Sequence, residues 1–162
     1  MRQTSFACSA IWDSYNGETK TGVYIMPKSK LPSRQKILAF HKQRFPKLQV
    51  FSNAYLGRDY QITFTQPEYT SVCPMTGLPD FGVITIEYVP DKWCLELKAF
   101  KYYLLAYRNA GIFYEMAVNK ILDDLVKACR PRYMQVRGDF TARGGIATTV
   151  KAEYRSKERS FS

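Results

Sequence analysis

The chain has 162 residues, a length that suits one domain with a sizeable hydrophobic core. A hydrophobic content of 46% and an aromatic content of 15% exclude a disordered chain. No apolar run approaches the roughly 18 residues of a membrane span. The first residues lack the apolar segment of a signal peptide, so the sequence predicts a cytoplasmic protein that does not associate with a membrane.

The net charge of +10 at first suggests nucleic-acid binding, but the basic residues are concentrated at the two ends. Residues 1–50 hold nine Lys or Arg against two acidic residues, and residues 151–162 hold four against two. The middle of the chain, residues 51–150, holds eleven against ten. The basic ends therefore fit solubility, or contact with a partner subunit, as well as they fit RNA binding.

Cysteine and histidine usage argues against disulfides and against a metal site. The four cysteines are scattered, and no two form a CxxC pair: Cys8, Cys73, Cys94 and Cys129. A cytosolic chain of this size rarely uses disulfides. His41 is the only histidine, so a zinc site would need an unusual set of ligands, and we expect no metal.

Residues 1–50 are predicted to form a basic N-terminal extension, whose role the sequence does not assign. Within it, residues 21–27 fit a short strand, and residues 33–45 fit an amphipathic helix with Ser33 as its N-cap. Residues 51–162 are predicted to form the domain that carries the functional site.

From residue 58 onwards, the pattern predicts two strands, two helices and two further strands. Tyr60, Ile62 and Phe64 alternate with polar residues, which is the period of a half-buried strand. In the two central segments, apolar residues recur at helical spacing instead. The predicted elements are strands over 58–66 and 81–90, helices over 97–109 and 112–129, and strands over 132–140 and 145–154. This ββααββ order predicts an α+β fold with two helices on one face of a four-stranded antiparallel sheet.

The segment "SVCPMTGLPDFG", residues 71–82, places a thiol and a carboxylate on one short loop. Two prolines stiffen the loop, with Cys73 near its start and Asp80 near its end. A thiol is a competent nucleophile only as the thiolate, and a free cysteine has a pKa near 8.5 unless its surroundings lower it. We interpret Cys73 as a candidate nucleophile and Asp80 as a candidate proton donor, although either residue alone is more often part of an ordinary turn.

The segment "ELKAFKYY", residues 96–103, carries two lysines three positions apart. On a helix, Lys98 and Lys101 share a face, where an anion bound between them would offset their mutual repulsion. Lysine is a common phosphate binder, so the pair is a candidate phosphate site. A solvated helix face is the commoner explanation for such a pair.

Two further segments fit a ligand site. In "FYE", Glu115 can accept two hydrogen bonds from the edge of a guanine-like ring, and Phe113 offers a stacking surface. Alternatively, Glu115 merely complements the helix dipole. In "ARGG", residues 142–145, the glycines let the backbone approach a ligand next to Arg143, although the same residues make an ordinary hairpin turn.

Together, these segments resemble the NADPH-dependent 7-cyano-7-deazaguanine reductases, the nitrile reductases of queuosine biosynthesis, over residues 58–150. The most specific likeness lies in "ELKAFKYY", and the cysteine loop and "FTARGGI" follow the family in the same order. The resemblance implies the tunnelling fold, in which sheets from several subunits join into an oligomeric β-barrel with sites between subunits. It makes residues 51–162 the catalytic domain of a homo-oligomer.

The resemblance also implies roles for individual residues. Cys73 would attack the nitrile carbon to form a covalent thioimidate, and Asp80 would deliver a proton to the nitrogen. The implied substrate contacts are Leu95, Glu96, Leu97, Phe113, Tyr114 and Glu115. The implied NADPH contacts are Leu97, Lys98, Lys101, Arg143 and Gly144. No GxGxxG motif follows a strand, so NADPH rests on the resemblance, supported only by the lysine pair and Arg143.

The sequence departs from the family at two positions, because Tyr114 stands where histidine is usual and Leu97 where serine is common. A phenol stays neutral near pH 7, whereas histidine titrates there, so we expect an altered pH–rate profile.

Three alternative functions remain open. An amidinotransferase of the same fold, acting on a nitrile in tRNA, would lack the lysine signature. A zinc-dependent cyclohydrolase relative would need Cys and His ligands. A basic RNA-binding module would show salt-dependent RNA affinity, which the near-neutral middle of the chain argues against. We expect a small-molecule substrate and no requirement for nucleic acid.

Overall fold

The structure is a computed structural model that describes residues 45–156, all within one compact unit. The strand predicted over 21–27 lies outside the described residues, as does the helix predicted over 33–45 apart from Phe45. The domain boundary predicted between residues 50 and 51 therefore stays a prediction.

Six strands form two antiparallel sheets in the described part of the chain. They are β1 (Val50–Ser52), β2 (Ile62–Val72), β3 (Pro79–Val89), β4 (Trp93–Leu95), β5 (Tyr133–Arg143) and β6 (Ile146–Arg155). The larger sheet has the order β2-β3-β5-β6, which confirms the predicted four-stranded antiparallel sheet. The small β1–β4 sheet was not predicted.

The first long strand differs most from its prediction. It begins at Ile62 and runs to Val72, beyond the predicted end at residue 66. Its register shifts between Gln66 and Tyr69, where Pro67 cannot donate to the ladder. A proline at a bulge therefore interrupts the ladder without ending the strand, and β2 continues up to Cys73.

Two α-helices connect β4 to β5. The first, α1 (Leu97–Leu105), continues into a 3₁₀ turn over Ala106–Asn109, and the second, α2, spans Tyr114–Cys129. The helix α2 ends where Arg130 adopts a left-handed conformation with φ 45°, just before Pro131. Both helices agree with the predicted ranges, apart from the shorter α-helical part of α1.

The core lies between the helices and one face of the larger sheet, as predicted. Alternate residues of the central strands point towards α2 and are almost fully buried, as Ile84, Ile86, Met134 and Val136 show. Each side chain of this size contributes about 1.5–3 kcal/mol when buried. Within residues 45–156, no helix has the length and apolar character needed to cross a membrane.

Candidate active site

The cysteine loop is held at both ends by backbone hydrogen bonds. The N–H of Cys73 donates to the carbonyl of Leu78 at 2.8 Å, and the N–H of Gly77 donates to the carbonyl of Cys73 at 2.8 Å. Gly77 has φ +74°, a backbone conformation that residues other than glycine rarely adopt. Val72, the residue before the cysteine, exchanges hydrogen bonds with Ala110 and Ile112 in the link between the helices. These bonds place the loop next to the N-terminus of α2.

The surroundings of Cys73 favour its thiolate. Partial burial by itself raises the pKa of the thiol, but hydrogen bonds from the side chain and N–H of Thr76, the N–H of Met75 and the guanidinium of Arg143 outweigh it, so the pKa is lowered. Burial instead raises the pKa of the fully buried Cys129 to about 12. Of these two thiols, Cys73 is the one prepared to react as a nucleophile.

Asp80 lies at the start of β3, opposite Ser71 of β2, with 3% of its surface exposed. Its Oδ1 accepts a hydrogen bond from the hydroxyl of Tyr114 at 2.6 Å and forms an ion pair with Nη2 of Arg143. No other side chain in the described range hydrogen-bonds to this carboxylate, so Oδ2 is the oxygen left to meet a ligand. The predicted proton donor is thus fixed from two sides through a single oxygen.

The Tyr114 ring is held flat against Phe140. The two ring centroids lie 3.9 Å apart, and the planes are inclined by 8°. Phe140 itself lies so close to Gly82 and Gly138 that a Cβ at either glycine would come within 2.9 Å of its ring. Burial, and then the hydrogen bond to Asp80, raise the pKa of Tyr114 to about 12. The tyrosine therefore stays a neutral donor to Asp80 through the physiological range.

Arg143 reaches this cluster from the hairpin between β5 and β6. Gly144 and Gly145 have φ of 55° and 82° and form the turn, as predicted for the "ARGG" segment. Nη2 of Arg143 also donates to the carbonyl of Pro79 at 3.1 Å. The guanidinium therefore contacts Asp80, its neighbour Pro79 and the Cys73 thiol.

The predicted site residues in and next to α1 lie away from the cluster formed by Cys73, Asp80, Tyr114 and Arg143. Glu96 is the N-cap of α1, where its two carboxylate oxygens accept from the N–H groups of Lys98 and Ala99, each at 2.7 Å. Leu95 is buried in β4, whereas Leu97, Lys98 and Lys101 are exposed on α1.

The lysine pair and the cysteine loop lie at opposite ends of the helical layer. Phe100, beside the lysines, packs against Phe64 near the start of β2, with the ring centroids 5.5 Å apart. Gly111 instead forms a β-bridge with Val72 at the end of β2. Lys98 lies in the first turn of the helical residues 97–109, which span roughly 20 Å, and Gly111 follows their other end. One chain thus brings together Cys73, Asp80, Tyr114 and Arg143, but not the lysines.

The remaining predicted residues lie beside the cluster. Phe113 is the half-buried N-cap of α2, and Glu115 is exposed in its first turn, one residue on either side of Tyr114. Gly144 is exposed in the hairpin turn. Among residues 45–156, no group of three or more His, Cys, Asp or Glu is arranged to hold a metal ion.

Two residues that shape the cluster were absent from the sequence prediction. Thr76 hydrogen-bonds Cys73, and a threonine in a Pro- and Gly-rich loop is a turn signal that could have indicated it. Phe140 supports Tyr114 across 26 residues of sequence, and only the packing of β5 against α2 reveals that contact.

Comparisons with known proteins identify the family of this chain. A sequence model of the family described as "QueF-like protein" matches residues 79–159. A protein of Chlorobaculum tepidum named NADPH-dependent 7-cyano-7-deazaguanine reductase is 62% identical over 112 residues, which cover 68% of this chain and 96% of that protein. Proteins of the same name from Chloroherpeton thalassium and Elusimicrobium minutum are each 59% identical, over 68% and 70% of this chain and 96% and 86% of their own lengths.

A solved structure shares the fold. The crystal structure of the archaeosine synthase QueF-Like in the apo form aligns with a TM-score of 0.54 and 26% identity, over 57% of this chain and 91% of that chain. The α+β architecture with its antiparallel sheet is thus the tunnelling fold, as the resemblance implied. The chain belongs to the QueF-like family of 7-cyano-7-deazaguanine reductases.

Proposed function

We propose that this chain catalyses the NADPH-dependent reduction of the nitrile of 7-cyano-7-deazaguanine to the primary amine, a step of queuosine biosynthesis. The observation that carries the proposal is the Cys73 thiol, whose pKa is lowered and whose Arg143 partner also pairs with Asp80 at the start of β3. Relatives at about 60% identity bear the name of this activity.

In the first step, the Cys73 thiolate adds to the nitrile carbon. A carbon–sulfur bond forms, one π bond of the nitrile breaks, and the nitrogen takes a proton, which yields a covalent thioimidate. Asp80 delivers this proton from Oδ2, because its Oδ1 is engaged by Tyr114 and Arg143. The step therefore consumes one proton, which comes ultimately from solvent.

When bound, NADPH would supply a hydride to the thioimidate carbon. Cys73 would then leave as the thiolate, which breaks the carbon–sulfur bond and leaves an imine that a second hydride would reduce. In total, two NADPH and two protons would convert the nitrile into the aminomethyl group. The exposed Lys98 and Lys101 fit an anionic phosphate, because they lie on one face of α1 and neither forms an ion pair within the described residues. Arg143 and Gly144 remain further predicted cofactor contacts.

The substrate ring would be recognised at the N-terminus of α2. The exposed carboxylate of Glu115 is free to accept from the N–H and NH₂ edge of the deazaguanine, and Phe113 offers its ring for stacking. Both residues flank Tyr114, so a ring bound there would bring its nitrile towards Cys73.

A homo-oligomer would complete the site. Strands β2 and β6 are the edges of the described sheet, with 11 and 10 residues, and such long edges are usually paired or covered. Lys98 lies roughly 20 Å along the helical layer from the cysteine loop of the same chain, and Lys101 lies almost one helical turn nearer. A neighbouring subunit that joins its sheet edge to edge can supply its own Lys98 and Lys101 to this cysteine loop. The cytoplasmic location stays a prediction.

Intact-mass measurement tests the proposal. The purified protein incubated with 7-cyano-7-deazaguanine, without NADPH, should gain the mass of one substrate per chain, and the Cys73→Ala variant should gain none. The matched control Cys94→Ala removes another free thiol and should keep the adduct. When NADPH is then added, the parent should consume two equivalents per nitrile. An adduct without NADPH consumption would favour the amidinotransferase alternative. No adduct, together with salt-dependent RNA affinity, would favour the RNA-binding module.

A further inference from the structure

We propose that Arg143 is a positioning residue for the nucleophile, one that ties Cys73 to Asp80 across the cysteine loop. This role differs from the cofactor contact that the family resemblance assigns to Arg143. It deepens the proposed function and rests on it only for the identity of the reaction.

The geometry of the hairpin carries the proposal. The guanidinium forms an ion pair with Oδ1 of Asp80, and the same Nη2 donates to the carbonyl of Pro79 at 3.1 Å. Pro79 and Asp80 begin β3, whereas Cys73 directly follows the end of β2. The guanidinium also hydrogen-bonds the Cys73 thiol, so it contacts both sides of this connection and links the sulfur to the carboxylate.

Electrostatics gives this contact a chemical consequence. Two charged or titratable groups interact with the Cys73 thiol, Arg143 from the hairpin and Tyr114 from α2, and Asp80 of β3 pairs with the same guanidinium. Tyr114 is neutral, so Arg143 is the charged one of these two groups. Removal of the guanidinium would take away the positive charge beside the sulfur, and the loss of an opposite charge disfavours the thiolate relative to the thiol.

Cysteine alkylation tests the proposal without substrate or cofactor. The rate at which iodoacetamide modifies Cys73, followed by peptide mass mapping, is measured between pH 5 and pH 10 in the parent and in Arg143→Gln. We expect the midpoint of the curve of alkylation rate against pH to lie at least one pH unit higher in Arg143→Gln than in the parent. Such a shift slows alkylation roughly tenfold at pH 7. Arg143→Lys keeps the charge without the fork of donors and should fall between the two.

The control is Arg137→Gln, because Arg137 lies on the same strand and pairs with Asp139 on the exposed face. Its midpoint should equal that of the parent. The proposal is overturned if Arg143→Gln keeps the parent midpoint and only raises the KM for NADPH, which would make Arg143 a cofactor contact. If Arg143→Gln fails to fold, the Arg143→Lys midpoint decides, and a value equal to that of the parent overturns the proposal. Failure of the proposed function would give a different result. The parent would show a lowered alkylation midpoint for Cys73 but would form no adduct with the nitrile.

Discussion

Removal of the Tyr114 hydroxyl isolates the hydrogen bond that orients Asp80. The variant Tyr114→Phe keeps the ring stacked on Phe140 at 3.9 Å and deletes only the donor 2.6 Å from Oδ1. Asp80 is 3% exposed, so water has little access to replace that donor. A hydrogen bond to a charged group contributes about 1.5–3 kcal/mol to stability. We therefore expect the free energy of unfolding to fall by about 2 kcal/mol.

The same bond is expected to contribute to turnover. If the full interaction holds the carboxylate in the transition state, its loss lowers kcat by roughly 10- to 100-fold. Urea denaturation at pH 7 measures the stability, and steady-state NADPH consumption measures kcat. The matched control is Tyr133→Phe, whose hydroxyl donates at 3.3 Å to the neutral amide of Gln135. Tyr133→Phe should lower the free energy of unfolding by less than about 0.5 kcal/mol. A Tyr114→Phe protein with the stability and kcat of the parent would refute the reasoning.

Three other perturbations probe the site, the core and the assembly. The variant Tyr114→His exchanges a group whose pKa is raised to about 12 for one that titrates at about 6.5, so the pH–rate profile should gain an inflection between about pH 6 and 7; an unchanged profile contradicts the expectation. The variant Gly138→Ala places a Cβ 2.8 Å from the Phe140 ring. This overpacking should lower the free energy of unfolding, measured by urea denaturation, by about 1–3 kcal/mol. A variant as stable as the parent would show that the ring can shift freely. The variants Cys73→Ala and Lys98→Ala should each be inactive alone. If the two proteins are dissociated, mixed and allowed to reassociate, activity should return when one subunit supplies Lys98 to the Cys73 of its neighbour. A mixture that stays inactive argues for sites within one chain.

The sequence alone determined the order and type of the main elements. Alternation along β3 and helical spacing along α2 depend on neighbours a few residues away, so they can be read locally. The cysteine loop was predictable for the same reason, because Cys73 and Asp80 are seven residues apart. The family resemblance, now confirmed, rested on such short motifs.

Only the tertiary structure decided which side chains meet. Tyr114 and Asp80 are 34 residues apart and Arg143 lies still further along the chain, so their contacts depend on how α2 and the β5–β6 hairpin pack around the start of β3. Packing likewise placed Phe140 under Tyr114 and separated the lysines of α1 from the cysteine loop. Short-range patterns specify each element, whereas the fit of apolar surfaces between distant elements sets which polar groups face one another.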